Sequence, residues 1–268
     1  MPELPEVETV ARGLRDCILH REIERIESHY PGTVSNLTGI SKLPSLGEIV
    51  SIERRGKYIV METGAGFIIL IHLRMTGKLV FDGICNVEGT HIRATLHLKG
   101  KNKVCFDDTR TFGKIKIFRK DQHIPDIGRL GVEPLSYLFT PEYLKEKWHT
   151  RNAPIKNLML QQDVIAGLGN IYACEILYRS GIHPLKAGRE LSLRQLTRIV
   201  KETREVLQEA IAMNGTSISD FRRVDEKSGE FQQFLQVYQK KECPKDHPLQ
   251  NKKIAGRSTY FCPVCQKL

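Results

Sequence analysis

The hydrophobic pattern changes period part-way along the chain, and that change limits the folds open to it. Between residues 48 and 120 the apolar residues fall in short alternating or β-branched runs: "EIVSIERRGKYIVMET", "GFIILIHLRM", "GKLVFD", "HIRATLHL", "KVCFDD" and "KIKIFRK". Gly-rich or charged turns separate them. Successive strand side chains point to opposite faces, so these runs predict an antiparallel β-sandwich reaching to about residue 130. Ahead of them Val7, Val10, Leu14 and Ile18 recur at spacings of three and four, the stripe of an amphipathic helix over residues 4–19. The Gly- and Pro-containing "DIGRLGVEPL" reads as a linker. Beyond it "TPEYLKEKW", "APIKNLMLQQ", "GNIYACEILYRSG" and "SLRQLTRIVKETREVLQEAIAM" follow the helical period, the last with a Ser start and a Gly beyond its end.

The charge balance of 41 basic against 31 acidic residues, a formal +10, points to a polyanionic partner. No segment approaches the ~20 apolar residues of a membrane span, and the N-terminus lacks a signal-peptide layout, so a soluble intracellular protein is expected. Cys17, Cys85, Cys105 and Cys174 are scattered in apolar or mixed surroundings and read as reduced thiols.

The tail is different. In "ECPKDHPLQNKKIAGRSTYFCPVCQ" Cys243 lies ahead of the knuckle formed by Cys262 and Cys265, with Asp246 and His247 between. Three thiolates and one further donor at this spacing suit tetrahedral zinc, which can hold together a segment too short to bury its own core. His247 is the commoner fourth ligand, while Asp246 also offers a zinc-competent oxygen. Lys240, Lys241, Lys245, Lys252, Lys253 and Arg257 around these ligands suit a phosphate backbone.

The chain opens "MPELPEVETV". One reading is a helix start, because proline is tolerated in the first turn and early glutamates favour the positive end of the helix dipole. The other is chemical. Loss of Met1 turns the Pro2 nitrogen from a tertiary amide into a secondary amine, a nucleophile near neutral pH because α-amino groups titrate around pH ~8. These ten residues alone leave both readings open.

Six stretches then stand in order: "PELPEVE", "RRGKYI" around Lys57, "HLRMTGK" around Met75, "DDTRTFGK" around Arg110 and Phe112, "AGLGNIYACEILYRSGIHP", and "AGRSTYFCPVCQ". Together they make the chain resemble the bacterial formamidopyrimidine-DNA glycosylases along nearly its whole length. The "PELPE" start resembles that branch more than the endonuclease VIII branch of the superfamily. The resemblance implies an α+β protein. It would have an N-terminal antiparallel β-sandwich flanked by helices (1–130), a linker (131–140), a helical domain with a helix–two-turn–helix (141–236), and a C-terminal β-hairpin zinc finger (237–268) holding one structural Zn2+.

The implied activity is that of a bifunctional DNA glycosylase and AP lyase of base excision repair, removing 8-oxoguanine and formamidopyrimidines from damaged double-stranded DNA. A cytoplasmic bacterial protein, associated with the nucleoid through its DNA binding, is expected, and a monomer is assumed. In the family mechanism the proline amine, here Pro2, attacks C1′ and expels the base. The resulting iminium acidifies the C2′ proton, and elimination of the 3′ and then the 5′ phosphate cuts the strand on both sides. Glu3 matches the acid/base, Glu6 a supporting carboxylate, and Lys57 a phosphate contact at the lesion that also assists base release. Met75, Arg110 and Phe112 match the residues that fill the gap left by the extruded base, where Met and Phe replace lost stacking and Arg hydrogen-bonds the orphaned partner. His72, Lys156, Asn170, Tyr172 and Arg257 match backbone contacts. Thr216, Ser217, Arg222 and Arg223 fall in the stretch resembling the loop that closes over an extruded 8-oxoguanine.

The chain departs from the family pattern in three places. Asp246 and His247 stand where a second tail cysteine is usual, Gln161 replaces an aspartate in "LMLQQDVIAG", and Glu230 replaces an aromatic before Phe231. Two rivals are therefore kept: the same chemistry on oxidised pyrimidines or bulky adducts, and a damaged-DNA-binding protein without catalysis.

Overall fold

The computed structural model describes residues 1–83, 91–217 and 223–268, so that Cys85 and the loop candidate Arg222 lie outside the described residues. The chain forms two compact units. The first is Met1–Gly128 with Met213–Gln232, and the second is Arg129–Ala212 with Gln233–Leu268.

The first unit begins with helix α1 (Leu4–Ile18). Its strands are β1 (Glu22–Ser28), β2 (Val34–Asn36), β3 (Gly47–Arg55), β4 (Tyr58–Thr63), β5 (Phe67–His72), β6 (Lys78–Phe81), β7 (Ile92–Leu98), β8 (Lys103–Asp107) and β9 (Lys114–Arg119), followed by the short helix α2 (Pro125–Gly128). The nine-stranded sheet runs β2-β9-β5-β4-β3-β1-β7-β8-β6. Its halves join at β1 and β3 through only two paired positions, Glu22 with Glu48 and Ile23 with Gly47. One pairing departs from the antiparallel expectation. β2 runs parallel to β9, because the chain from β1 reaches the far edge of the sheet before β3 returns to pair beside β1.

One buried cluster draws on α1 and on both halves of the sheet, including Val10, Leu14, Ile52, Ile71, Leu96 and Phe106. The α1 stripe is the predicted one, with Val7, Val10, Leu14 and Ile18 no more than 1% exposed. β5 does not alternate, since all six of its residues are buried. Phe67, Ile69 and Ile71 face the main cluster, while Ile68 and Leu70 meet Phe118 and are covered by Ile124 and Ile127. A sheet covered on both faces produces the continuous apolar run seen in the sequence.

The second unit holds α3 (Pro141–Trp148), α4 (Ile155–Met159), α5 (Asn170–Arg179) and α6 (Leu193–Ala212), then the hairpin β10 (Gln250–Ile254) and β11 (Arg257–Phe261). α3 and α5 pack on α6, and α5 also packs on β11. α6 starts at a capping box in which Ser192 Oγ accepts the Gln195 N–H (3.3 Å) and Gln195 Oε1 accepts the Ser192 N–H (3.1 Å). The hairpin turns through Ala255 and Gly256, both at positive φ (46° and 77°), the geometry a two-residue hairpin requires.

The compact units divide the chain differently from the sequence reading in two places. Residues 131–140 are packed rather than free. The Gly131 N–H donates to Gln162 O (2.9 Å), Val132 bridges Ile165, and Phe139 is fully buried. A side chain at Gly131 would meet Val164 O at 2.2 Å, so this glycine permits a close backbone approach rather than a flexible joint. The segment Met213–Gln232, placed by sequence in the helical domain, belongs to the first unit. There Val224 packs on the main cluster and accepts the Phe81 N–H (3.4 Å).

Candidate functional site

Glu3 caps α1, and Pro5 lies in its first turn, where a missing N–H costs nothing. Glu3 and Glu6 form a capping box in which Glu6 Oε2 accepts the Glu3 N–H at 2.7 Å. The helix-start reading of the N-terminus is therefore correct, and it does not exclude the chemical one. Pro2, Glu3 and Glu6 are all buried, the two carboxylates at 3% and 2% exposure. The second oxygen of Glu6 accepts the Thr216 N–H at 2.8 Å. One carboxylate thus ties the residue behind Pro2 to the predicted lesion loop, 210 positions away in sequence.

That loop's stem is tightly built. Gly229 N–H donates to Ser217 Oγ (2.8 Å), Gln232 Oε1 accepts the Ser217 N–H (3.1 Å), and the Glu230 N–H donates to Met213 O (2.9 Å). A side chain at Gly215, which is at φ 79°, would crowd Glu6 at 3.0 Å, and one at Gly229 would collide with Gly215 O at 2.3 Å, so both positions favour glycine. Arg223 is turned inward on the loop, its guanidinium 3.3 Å from Asp225.

Lys57 sits in the turn between β3 and β4 and is buried to 6% exposure. The preceding Gly56, at φ 59°, takes a left-handed conformation. The turn is braced to α1: Arg54 donates to Glu8 (2.9 Å) and to Gly56 O (3.3 Å). Sequence reasoning passed over Glu8 and Arg54, whose only signal was opposite charge.

His72 ends β5 at 8% exposure. Burial, with the Arg74 and Lys57 charges nearby, pushes it down to about 3. It is neutral near pH 7. Its Nδ1 accepts the Arg74 N–H (2.9 Å), which leaves Nε2 as the proton-bearing nitrogen. Any phosphate contact by His72 is a neutral hydrogen bond. It lines a cavity of about 350 Å3 together with Tyr58, Arg74, Lys114, Lys116 and Asp126.

Met75 and Phe112 are 39% and 50% exposed, and Arg74 and Arg110 beside them are exposed too. Arg110 lies over the Phe112 ring, 5.0 Å from its centroid. The two loops carrying these residues are joined. Thr76 donates to Asp108 and its oxygen accepts the Arg110 N–H (3.1 Å). Asp108 also accepts the Gly113 N–H (2.7 Å). Asp108 and Thr76 lay inside motifs that the sequence reading used only for His72, Met75, Arg110 and Phe112.

In the second unit, Gln162 fastens the double turn between α4 and α5, accepting the Gly167 N–H (3.0 Å) and donating to Leu168 O (2.8 Å). Asn170 opens α5, and its side chain donates to Ser258 O in the hairpin (2.8 Å). Lys156 and Tyr172, matched from sequence to backbone contacts, are fully buried. The Lys156 ammonium donates to Asn170 O and meets Cys174 Sγ, both at 2.9 Å, so it supports the start of α5 from beneath. Arg257 is exposed at the hairpin turn.

Cys243, His247, Cys262 and Cys265 bring their donor atoms within 4.8 Å of one another. Tetrahedral zinc with Zn–S bonds of about 2.3 Å sets donor separations of about 3.8 Å, so three sulfurs and a nitrogen here fit the ion. His247 Nδ1 is 3.6 Å from Cys243 Sγ and 3.4 Å from Cys265 Sγ, which places the imidazole rather than Asp246 in the donor set. Two buried polar residues that sequence reasoning missed hold this tail. Gln266 accepts the Cys262 N–H (2.8 Å) and donates to Ile182 O (2.9 Å). Glu175 accepts the backbone N–H groups of Gln236, Val237 and Tyr238 at 2.8–3.0 Å, and burial raises its pKa despite those donors.

Residues 1–115 match the family model of the formamidopyrimidine-DNA glycosylase N-terminal domain, and residues 130–222 match that of the formamidopyrimidine-DNA glycosylase H2TH domain. The chain is 39% identical to the formamidopyrimidine-DNA glycosylase of Pelotomaculum thermopropionicum, covering 100% of both chains. It is 38% identical to that of Desulfitobacterium hafniense over 99% of this chain and 100% of the relative. Among solved structures, Lactococcus lactis Fpg in complex with abasic-site DNA is similar at TM-score 0.89 and 36% identity, over 99% of this chain and 100% of that one. The MutM (Fpg) protein of Thermus thermophilus is similar at TM-score 0.88 and 34% identity, over 99% and 98%.

Proposed function

The chain belongs to the formamidopyrimidine-DNA glycosylase family, and on that premise we propose that it excises oxidised purines from duplex DNA and cleaves the resulting abasic site. The observation that carries the reading is the pair of buried carboxylates, Glu3 and Glu6, directly behind Pro2. A proline amine freed by loss of Met1 attacks C1′, and the base leaves with a proton. The secondary amine can form only a cationic iminium, which draws electrons from C2′ as its proton departs and the 3′ phosphate is expelled. A second elimination releases the 5′ phosphate. Glu3 moves the protons, to the sugar ring oxygen as it opens and from C2′ afterwards. Glu6 has both oxygens committed to backbone N–H groups, so its role is to hold Glu3 and the loop at Thr216 in place. Lys57, His72, Asn170 and Arg257 hold backbone phosphates. Met75, Arg110 and Phe112 fill the gap left in the stack.

The tail cluster is a structural zinc site held by Cys243, His247, Cys262 and Cys265, with no position left for a reacting group. When bound, the ion supplies cross-linking and no chemistry.

Borohydride trapping on a duplex with 8-oxoguanine opposite cytosine tests the reading. The expected result is a protein–DNA adduct on a denaturing gel, carried on an N-terminal peptide whose mass begins at Pro2. An adduct carried on any other peptide would sink the nucleophile, and cleavage of abasic but not 8-oxoguanine duplexes would sink the lesion class.

A further inference from the structure

Met75 and the pair Arg110 and Phe112 come from loops more than thirty residues apart in sequence, yet they must enter one gap between stacked bases together. Each loop is anchored on the same buried ring: a side chain at Gly77 would meet Phe106 at 2.9 Å, and one at Gly113 would meet it at 2.3 Å. That contact sets how close the loops lie, but a ring has no preferred register along its edge. The polar link does. Asp108, 1% exposed, accepts from the Thr76 hydroxyl on one loop and from the Arg110 (3.3 Å) and Gly113 (2.7 Å) N–H groups on the other. The Thr76 oxygen in turn accepts the Arg110 N–H (3.1 Å), so the residue carrying the guanidinium is fixed at its own backbone by both partners. Thr111, next to it, is at φ 60°, a conformation that persists only where the surroundings enforce it. The Arg110 guanidinium has no carboxylate partner among the described residues and rests on the Phe112 face alone. Its direction is therefore inherited from the backbone.

We propose that Asp108, acting through Thr76, is a positioning residue that locks the two loops into one preassembled wedge and so aims Arg110 at the base opposite the lesion. The proposal rests on the gap-filling reading of Met75, Arg110 and Phe112. A guanidinium offers donors only, so its preference for cytosine, whose exposed edge carries two adjacent acceptors, over adenine, whose edge carries one beside its amino group, depends on how it is aimed. Loosening the lock costs selectivity as well as rate. The chemistry at Pro2 is untouched, because a preformed abasic site has no base to expel.

The experiment compares wild type, Asp108→Asn, Thr76→Val and Thr76→Ser on three duplexes: 8-oxoguanine opposite cytosine, 8-oxoguanine opposite adenine, and a preformed abasic site opposite cytosine. Active enzyme is counted by borohydride trapping on the abasic duplex. Thr76→Val and Asp108→Asn are expected to lower kcat/KM on the cytosine duplex at least ten-fold per active molecule. They are also expected to shrink the cytosine-to-adenine ratio several-fold, with abasic cleavage within two-fold of wild type. Thr76→Ser, which keeps the hydroxyl, restores both. A merely structural role lowers the active count and leaves the ratio unchanged, and that result overturns the proposal. Should Asp108→Asn fail to fold, the Thr76 pair decides alone. Phe112→Ala is the control for the underlying reading. If it leaves 8-oxoguanine excision unchanged, the wedge itself is wrong; if it is impaired while Thr76→Val matches wild type, only the lock is wrong.

Discussion

His72 shows that matching a side chain to a backbone contact from sequence leaves its charge undecided. Arg74 and Lys57 stand near it, and burial holds it neutral down to about pH 3. The unfolded chain takes that proton near pH 6.5 while the folded chain refuses it, so acid favours unfolding across this interval. Stability is expected to fall by up to about 1.4 kcal/mol per pH unit below pH 6 on this account. His72→Asn keeps an acceptor for the Arg74 N–H and removes the titration. Its denaturant midpoint should therefore decline less between pH 6.5 and pH 4 than that of wild type, and parallel declines would refute the assignment. Pro2, Glu3 and Lys57 could be proposed from the sequence because their motifs are short and local. Asp108, Thr76, Glu8 and Arg54 were not, since a residue that positions another through space leaves no spacing to read.

At the level of elements, α1 and α6 followed from periodicity and capping signals, whereas the hairpin turn puts Ala255 as well as Gly256 at positive φ, which only the glycine favours. β5 and the segment 131–140 were harder. An apolar run cannot say that a short helix will cover its second face, and a glycine in a loop cannot say whether it supplies freedom or close approach. Two elements carry predictions. Glu175→Ala leaves three N–H groups without their acceptor, which should cost about 3 kcal/mol or more and lower the melting temperature of the intact protein. Removing metal with a chelator near pH 7 should make the thiols of Cys243, Cys262 and Cys265 reactive. It should also weaken duplex binding, since Asn170 at the head of α5 is bonded to the hairpin at Ser258. Thiols already reactive in metal-replete protein would contradict the site.

For the whole molecule, the formal +10 gives an affinity for duplex DNA that declines steeply with salt. Arg257→Ala should weaken binding to any sequence and make the slope of log K against log salt shallower by roughly 1. An unchanged slope would remove Arg257 from the backbone contacts. Fold class was legible from the change of period, but the membership of Met213–Gln232 in the first unit was not, because that segment is recruited by a carboxylate at residue 6. The recruitment matters for synthesis. A ribosome delivers Pro2, Glu3 and Lys57 early, yet the backbone N–H that Glu6 holds arrives only after residue 215 has been made. A chain interrupted before then carries Pro2, Glu3 and Glu6 without the segment that the Glu6 carboxylate grips. That grip closes only once just over four-fifths of these 268 residues have been made.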